Sequence, residues 1–211
     1  PNLLTIYTKN KHYTITEPPE RLKKIENVIK ELGMPFIYSK DEAENLGASL
    51  YKEGKIHALW TSDTDAYPLE CKLIVKGFGR NNKDNVDFIY AVNVEKIRNG
   101  LEMNCEEFRD FCILLGCDFN DGISGIGAVR GHKMMLEHKN LETAAKNSKY
   151  ENEINNMKYE NSRLQLTPYE TGFRHEDMMI NTNKKINLDD KILDIPGVIE
   201  TIRKIKNFEK F

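Results

Sequence analysis

The 211-residue chain lacks most of the features that would place it outside a cell or in a membrane. It has four cysteines, Cys71, Cys105, Cys112 and Cys117, and no C-x-x-C pair among them. No His pair stands at zinc-finger spacing either. The cysteines therefore read as reduced thiols of an intracellular protein rather than as a disulfide scaffold or a zinc site. No stretch approaches the ~20 apolar residues of a membrane span. No apolar block with small-residue cleavage signals opens the chain, so no secretory signal is expected. An excess of either charge is also missing. Lys and Arg number 31 against 33 Asp and Glu, a net charge of −2. That excludes a uniformly cationic nucleic-acid binder, but it leaves room for a basic face beside an acidic one.

What is present suffices for a core. Hydrophobic residues make up 39% of the chain and charged residues 30%. The length suits one domain or one and a half. The apolar spacing of Leu22, Ile25, Val28, Ile29 and Leu32 predicts a helix that starts near Thr16-Glu17-Pro18-Pro19 and stops at Gly33. Residues 34–38, Met-Pro-Phe-Ile-Tyr, read as a short buried strand. Ser39-Lys40-Asp41-Glu42 fits a capping box, and a helix follows to about Gly54. Residues 56–61 form a continuous apolar run, which reads as a strand buried on both faces. Further strands are expected over 71–75 and 88–94. Asn104-Cys105-Glu106-Glu107 is a second capping box, and it opens a helix that Gly116 closes. Strand, helix, strand, helix implies an α/β fold: a parallel sheet with helices on both faces. After Gly122-Ile123-Ser124-Gly125-Ile126-Gly127 another helix runs to about His138. Residues from Lys146 onward are weakly periodic, 168–185 read as irregular, and a last helix is expected over 198–208.

The acids carry the chemistry. Asp63 and Asp65 follow the buried run as Thr61-Ser62-Asp63-Thr64-Asp65. Residues two apart in extended chain point to one side, so both carboxylates can converge at the carboxyl end of a strand, where such sheets bind ligands. Alternatively, Asp63 caps the next turn. Glu42 and Glu44 open a helix, where a spacing of two places them ~200° apart. They can share an ion only if one acts through water or the first turn is irregular. Glu42 could equally close the capping box on the Ser39 backbone. Asp118 follows an apolar helix and a glycine, and it is either a turn residue or a fifth ligand. Like charges ~4 Å apart cost up to ~4 kcal/mol per pair near a surface. Five such acids gathered at one edge require cations. Oxygen-only ligands suit Mg²⁺, with Mn²⁺ as a substitute. Two such ions ~3.5–4 Å apart are the usual device for phosphodiester hydrolysis.

The glycine hairpin presents backbone N–H groups at the positive end of a helix, which favours a phosphate. Arg130, His132 and Lys133 follow. The pattern fits a sequence-blind grip on a nucleic-acid backbone, although a turn made only for packing has the same pattern.

Together these residues resemble the flap endonuclease family of structure-specific 5′ nucleases. Residues 34–44 (MPFIYSKDEAE) resemble the opening of its internal region. Residues 60–65 (WTSDTD) resemble its next acidic motif, and 112–119 with 122–127 (CILLGCDF, then GISGIG) resemble its final acid and helix–hairpin–helix. The resemblance covers about residues 14–142. It implies a PIN-like nuclease core over 1–117, incomplete here. A helix–hairpin–helix over 118–145 and a helical C-terminal extension over 146–211 follow. It implies hydrolysis of branched DNA near a 5′ end, in replication, repair or recombination, with two Mg²⁺ ions. Glu42, Glu44, Asp63, Asp65 and Asp118 would be the catalytic metal ligands. Gly122, Gly125, Gly127, Arg130 and Lys133 would hold duplex backbone, with K⁺ on the hairpin carbonyl oxygens. The family's N-terminal region supplies two further aspartates, a lysine, an arginine and a helical arch. The expected partners are therefore branched DNA with a 5′ flap and an N-terminal nuclease half or another protein. A non-catalytic DNA-binding or structural component is the alternative. The expected site is the nucleus or cytoplasm, and a large DNA virus is a compatible source. After Gly127 the family has proline and a basic residue, where this chain has Ala128-Val129.

Overall fold

The computed structural model describes residues 4–8, 11–15, 23, 26, 29, 34–39, 42–81 and 86–174. The chain falls into two compact units. One comprises Pro1–Pro18 with Ile37–His175, the other Pro19–Phe36 with Glu176–Phe211. Of the second unit, Lys23, Glu26 and Ile29 are helical and residues 34–36 are irregular. The rest of the helix expected over 16–33, and the one over 198–208, lie outside the described residues.

The first unit opens with an antiparallel pair, β1 (Leu4–Thr8) and β2 (Lys11–Ile15). Helix α1 (Ala43–Lys52) precedes a three-stranded sheet. The sheet comprises β3 (Leu59–Trp60), β4 (Leu73–Asn81) and β5 (Val86–Asn93), in that spatial order. Helices α2 (Val94–Gly100), α3 (Cys105–Leu115), α4 (Ala128–His138), α5 (Leu141–Asn147), α6 (Glu151–Asn156) and α7 (Tyr159–Gln165) follow.

The sheet corrects the all-parallel expectation. β3 pairs parallel with β4, but β4 and β5 form an antiparallel hairpin from Leu73↔Asn93 to Asn81↔Val86. Residues 82–85 alone separate them, and a parallel crossover needs a dozen residues or more. The run over 56–61 is also narrower than expected. Only Leu59–Trp60 is strand, and Trp60 is 59% exposed, so the strand is buried on one face, not both. Residues 34–38 are not strand; Pro35 removes a ladder donor from this short segment.

The capping box at Asn104 forms as expected. Asn104 Oδ1 accepts from Glu107 N at 2.9 Å, and Asn104 N donates to Glu107 Oε2 at 3.0 Å. The one expected at Ser39 does not form. Glu42 itself is the N-cap of α1, with extended backbone and no side-chain capping bond. Ser39 Oγ instead donates to the Glu42 carbonyl at 3.2 Å.

The core gathers Ile74, Val94, Ile113, Leu114, Met135 and Leu141, all nearly fully buried. Burial pushes the Cys71 and Cys112 thiols up to about 12, which suits inert core cysteines. Among the described residues beyond 147, the weakly periodic region holds two short helices, α6 and α7, seated by buried Ile154, Tyr159 and Leu166. A clasp joins α3, α5 and α7. Arg163 Nε and Nη2 donate to Asp110 Oδ1 and Oδ2 at 2.9 and 2.8 Å, and Arg163 Nη1 donates to Glu142 Oε1 at 2.7 Å. Leu141 N donates to Asp110 Oδ2 at 3.1 Å.

Beyond α7 an irregular segment lies along α1. Asn45, Ser49 and Glu53 recur every four residues and so share one face of the helix. Asn45 Nδ2 donates to Gln165 O at 2.6 Å, and Ser49 Oγ accepts from Tyr169 N at 2.9 Å. Glu53 accepts from Thr171 N and Thr171 Oγ1, each at 2.6 Å. Lys55 pairs with Glu53 at 2.5 Å and also donates to Phe173 O. Bonds from Lys55 and Thr171 hold the Glu53 carboxyl down to about 2. Its ordinary value is near 4.5, so this contribution is full above pH 4.5 and is lost as pH falls towards 2. The Thr171 amide resonance, followed by NMR through an acid titration, is expected to move over that window.

Candidate nuclease site

Two sharp turns and one helix start bring the five acids to one cleft. Glu42, Glu44, Asp63, Asp65 and Asp118 line it together with Asn45, Leu69, Phe119, Gln165 and Leu166. Glu42 lies in extended chain before α1, and Glu44 lies in its first turn. The obstacle of two acids on opposite sides of a regular helix therefore does not arise. Gly47 lets α1 approach β3 closely; a Cβ there would lie 2.4 Å from Leu59 Cδ1.

The acids are tied in series. Thr61 Oγ1 donates to Glu44 Oε1 at 2.8 Å and accepts from Asp63 N at 3.0 Å. Asp63 Oδ1 accepts from Asp65 N at 2.9 Å, so Asp63 does cap its own turn. Asp65 Oδ2 accepts from Asp118 N at 2.8 Å, across 53 residues of sequence. Thr61 was not among the expected site residues. Its signal is a hydroxyl at the strand end, inside the acidic motif and two residues before Asp63. Asn45 and Gln165 were also missed, although an asparagine on the buried face of a helix needs a partner.

The gathering has an electrostatic consequence. Burial is the main cause that pushes the Glu42 carboxyl above its ordinary value, and Glu44, Asp63, Asp118 and Asp65 then add to the shift in that order. Glu42, Glu44, Asp63 and Asp118 form no ion pair with a lysine or arginine among the described residues. Lys76 approaches the loop but donates to the Ser62 and Asp63 carbonyls, at 2.6 and 3.3 Å. An all-oxygen donor set under mutual repulsion fits a hard divalent cation. Among the described residues no three His, Cys, Asp or Glu side chains close around a single ion position.

Beside Asp118 the chain turns into α4. Gly122 and Gly125 have φ of +68° and +81°, and Ile123 and Ile126 are buried beneath the turn. Asn120 Oδ1 accepts from Gly122 N at 2.8 Å, while its Nδ2 donates to Ser162 Oγ at 2.9 Å. Arg130, Lys133 and Val129 are exposed, Val129 to 85%. His132 instead meets Leu101 O at 2.9 Å. Gly122 tolerates no Cβ: one would lie 2.6 Å from Leu115 C and 2.7 Å from Gly116 N. With the left-handed φ added, Gly122→Ala is expected to destabilise the chain by about 2 kcal/mol or more, read as a lower melting temperature.

Comparison with known proteins points to a family. Residues 33–118 match the family described as the XPG I-region. Flap endonuclease 1 of Schizosaccharomyces pombe is 30% identical over 186 residues, which are 87% of this chain and 46% of that protein. Flap endonuclease 1 of Monosiga brevicollis is 40% identical over 115 residues, 54% of this chain and 30% of that protein. A structure of the catalytic core of Rad2 in complex with DNA substrate aligns with a TM-score of 0.52 at 22% identity, covering 85% of this chain and 53% of that one. At that identity the likeness concerns the fold. The chain spans less than half the length of the curated relatives it matches. No helix among the described residues is long and apolar enough to cross a membrane.

Proposed function

Because the chain is a member of the flap endonuclease family that covers part of the family's length, we propose that it forms part of a divalent-metal-dependent, structure-specific 5′ nuclease. Its substrate would be branched DNA with a 5′ flap, met in replication, repair or recombination. One observation carries this reading: five acids from three distant segments line one cleft beside a glycine turn.

Glu42, Glu44, Asp63, Asp65 and Asp118 would hold two Mg²⁺ ions, which neutralise phosphate charge and make bound water a nucleophile near neutral pH. The chain's own residues prepare that arrangement. Thr61 fixes the Glu44 carboxylate, and Asp65 fixes the Asp118 backbone. Lys76 pins the loop between them through its carbonyls. Leu69, Phe119 and Leu166 form an apolar wall that limits water. The turn at residues 122–127 and the start of α4 would receive the duplex backbone through N–H groups, Arg130 and Lys133. Residues 118–145 are the DNA-binding segment in this proposal. Further ligands and the arch would come from an N-terminal nuclease half.

The test is cleavage of a labelled 5′-flap duplex with Mg²⁺ or Mn²⁺, by this chain with and without such a half. Cleavage that depends on both the metal and the acids supports the proposal. A combined enzyme that binds the flap, takes up no metal and leaves the flap uncut would refute it.

A further inference from the structure

The turn before α4 already contains a cation. Arg130 Nη1 donates to Gly125 O at 2.9 Å. Two further carbonyls of the turn are also engaged: Ile123 O accepts from Ile126 N at 3.0 Å, and Gly127 O accepts from Gly131 N at 2.9 Å. Every second carbonyl of residues 123–127 thus has a donor, and one of those donors carries a full positive charge.

A free monovalent cation would need several of these oxygens together, to replace the water it gives up. It would compete with a tethered group whose effective concentration is high. It would also sit against the like charge of Arg130, at the positive end of an 11-residue helix. The Gly125 carbonyl, already held by a guanidinium, does not fit K⁺.

We propose that Arg130 is the built-in cation of this turn, so that the turn meets a phosphate backbone without taking up potassium. Arg130 is exposed, and its guanidinium has five donors, one of which serves Gly125. The exposure of the residue leaves the others within reach of phosphate oxygens. One side chain thus holds the turn in shape and supplies the charge that a bound ion would otherwise bring.

The experiment replaces KCl by choline chloride at constant ionic strength. Melting temperature is read on the chain alone, and affinity is read on a plain DNA duplex. The wild-type chain is expected to behave alike in both salts. Arg130→Ala opens the Gly125 carbonyl, and its melting temperature should rise selectively in KCl. Its duplex affinity should be on the order of tenfold tighter in KCl than in choline, the scale of one charge-assisted hydrogen bond. Arg130→Lys keeps a cation and should stay indifferent to the salt. Two results would overturn the proposal: selective stabilisation of the wild type by K⁺, or equal losses for Arg130→Ala in both salts. Should Arg130→Ala fail to fold, the wild type and Arg130→Lys still decide, because ²⁰⁵Tl NMR would reveal Tl⁺, a stand-in for K⁺, bound at the turn in either. The melting arm needs no nucleic acid, so failure of the nuclease reading leaves it intact.

Discussion

Replacing Asp65 by alanine is expected to lower metal-dependent flap cleavage by the complete enzyme about a thousandfold or more, while duplex binding persists. That loss corresponds to roughly 4 kcal/mol of transition-state stabilisation. The size follows from a double role. Asp65 faces the shared cleft, and its Oδ2 accepts the Asp118 amide at 2.8 Å. Alanine removes a charge and frees the Asp118 turn together. Asp65→Asn separates the two effects, since its amide oxygen still accepts from Asp118 N. If charge is what matters, the asparagine variant is nearly as inactive as the alanine variant but melts close to wild type. Wild-type turnover in Asp65→Asn would mean that Asp65 only holds the turn. Single-turnover cleavage beside a filter-binding isotherm reads both quantities.

The largest expected effect on stability lies away from the acids. Arg163→Met should destabilise the chain by about 3 kcal/mol, measured as a shift in urea midpoint at constant slope. The reason is the partner left behind. The Asp110 side chain is 6% exposed, and without Arg163 its carboxylate keeps only the Leu141 amide as a donor among the contacts described above. Burial already pushes the Asp110 carboxyl above its ordinary range, and Arg163 is the main force opposing that shift. Adding Asp110→Asn to Arg163→Met removes the stranded charge and should recover part of the loss. A double variant no better than Arg163→Met would assign the cost to the lost stacking of the guanidinium on the Tyr159 ring, whose centre lies 5.2 Å from the guanidinium carbon.

Much of the site was legible because its residues sit at element ends, where local rules are strong. The Asn104 box, the stop at Gly116 and the span of α4 are set by caps and glycines within a few residues of each other. The strand ending at Trp60 placed Asp63 and Asp65 correctly at the mouth of the sheet. Four features were not legible, each for a physical reason. The pairing of β4 with β5 is set by the shortness of residues 82–85, which an order of elements alone does not weigh. Glu42 satisfies the sequence rule of a capping box, yet α1 begins at Ala43 and leaves that carboxylate among the other acids. Helices α6 and α7 are too short to show a period; what seats them is tertiary, through Ile154, Tyr159 and Leu166. The bond from Asp118 N to Asp65 spans 53 residues and has no local signature.

The serial tie among the acids also bears on ion selectivity. Glu44 Oε1, Asp63 Oδ1 and Asp65 Oδ2 each already accept a proton donor from the chain. Each of these carboxylates therefore has one oxygen already turned to a donor of the chain, which disfavours two-oxygen chelation by a single side chain. A calcium ion seeks six to eight oxygens and often takes carboxylates in that chelating mode, whereas magnesium retains several of its own waters. Under the proposed metal loading, such a cleft would favour magnesium, the larger ion being undercoordinated rather than short of room.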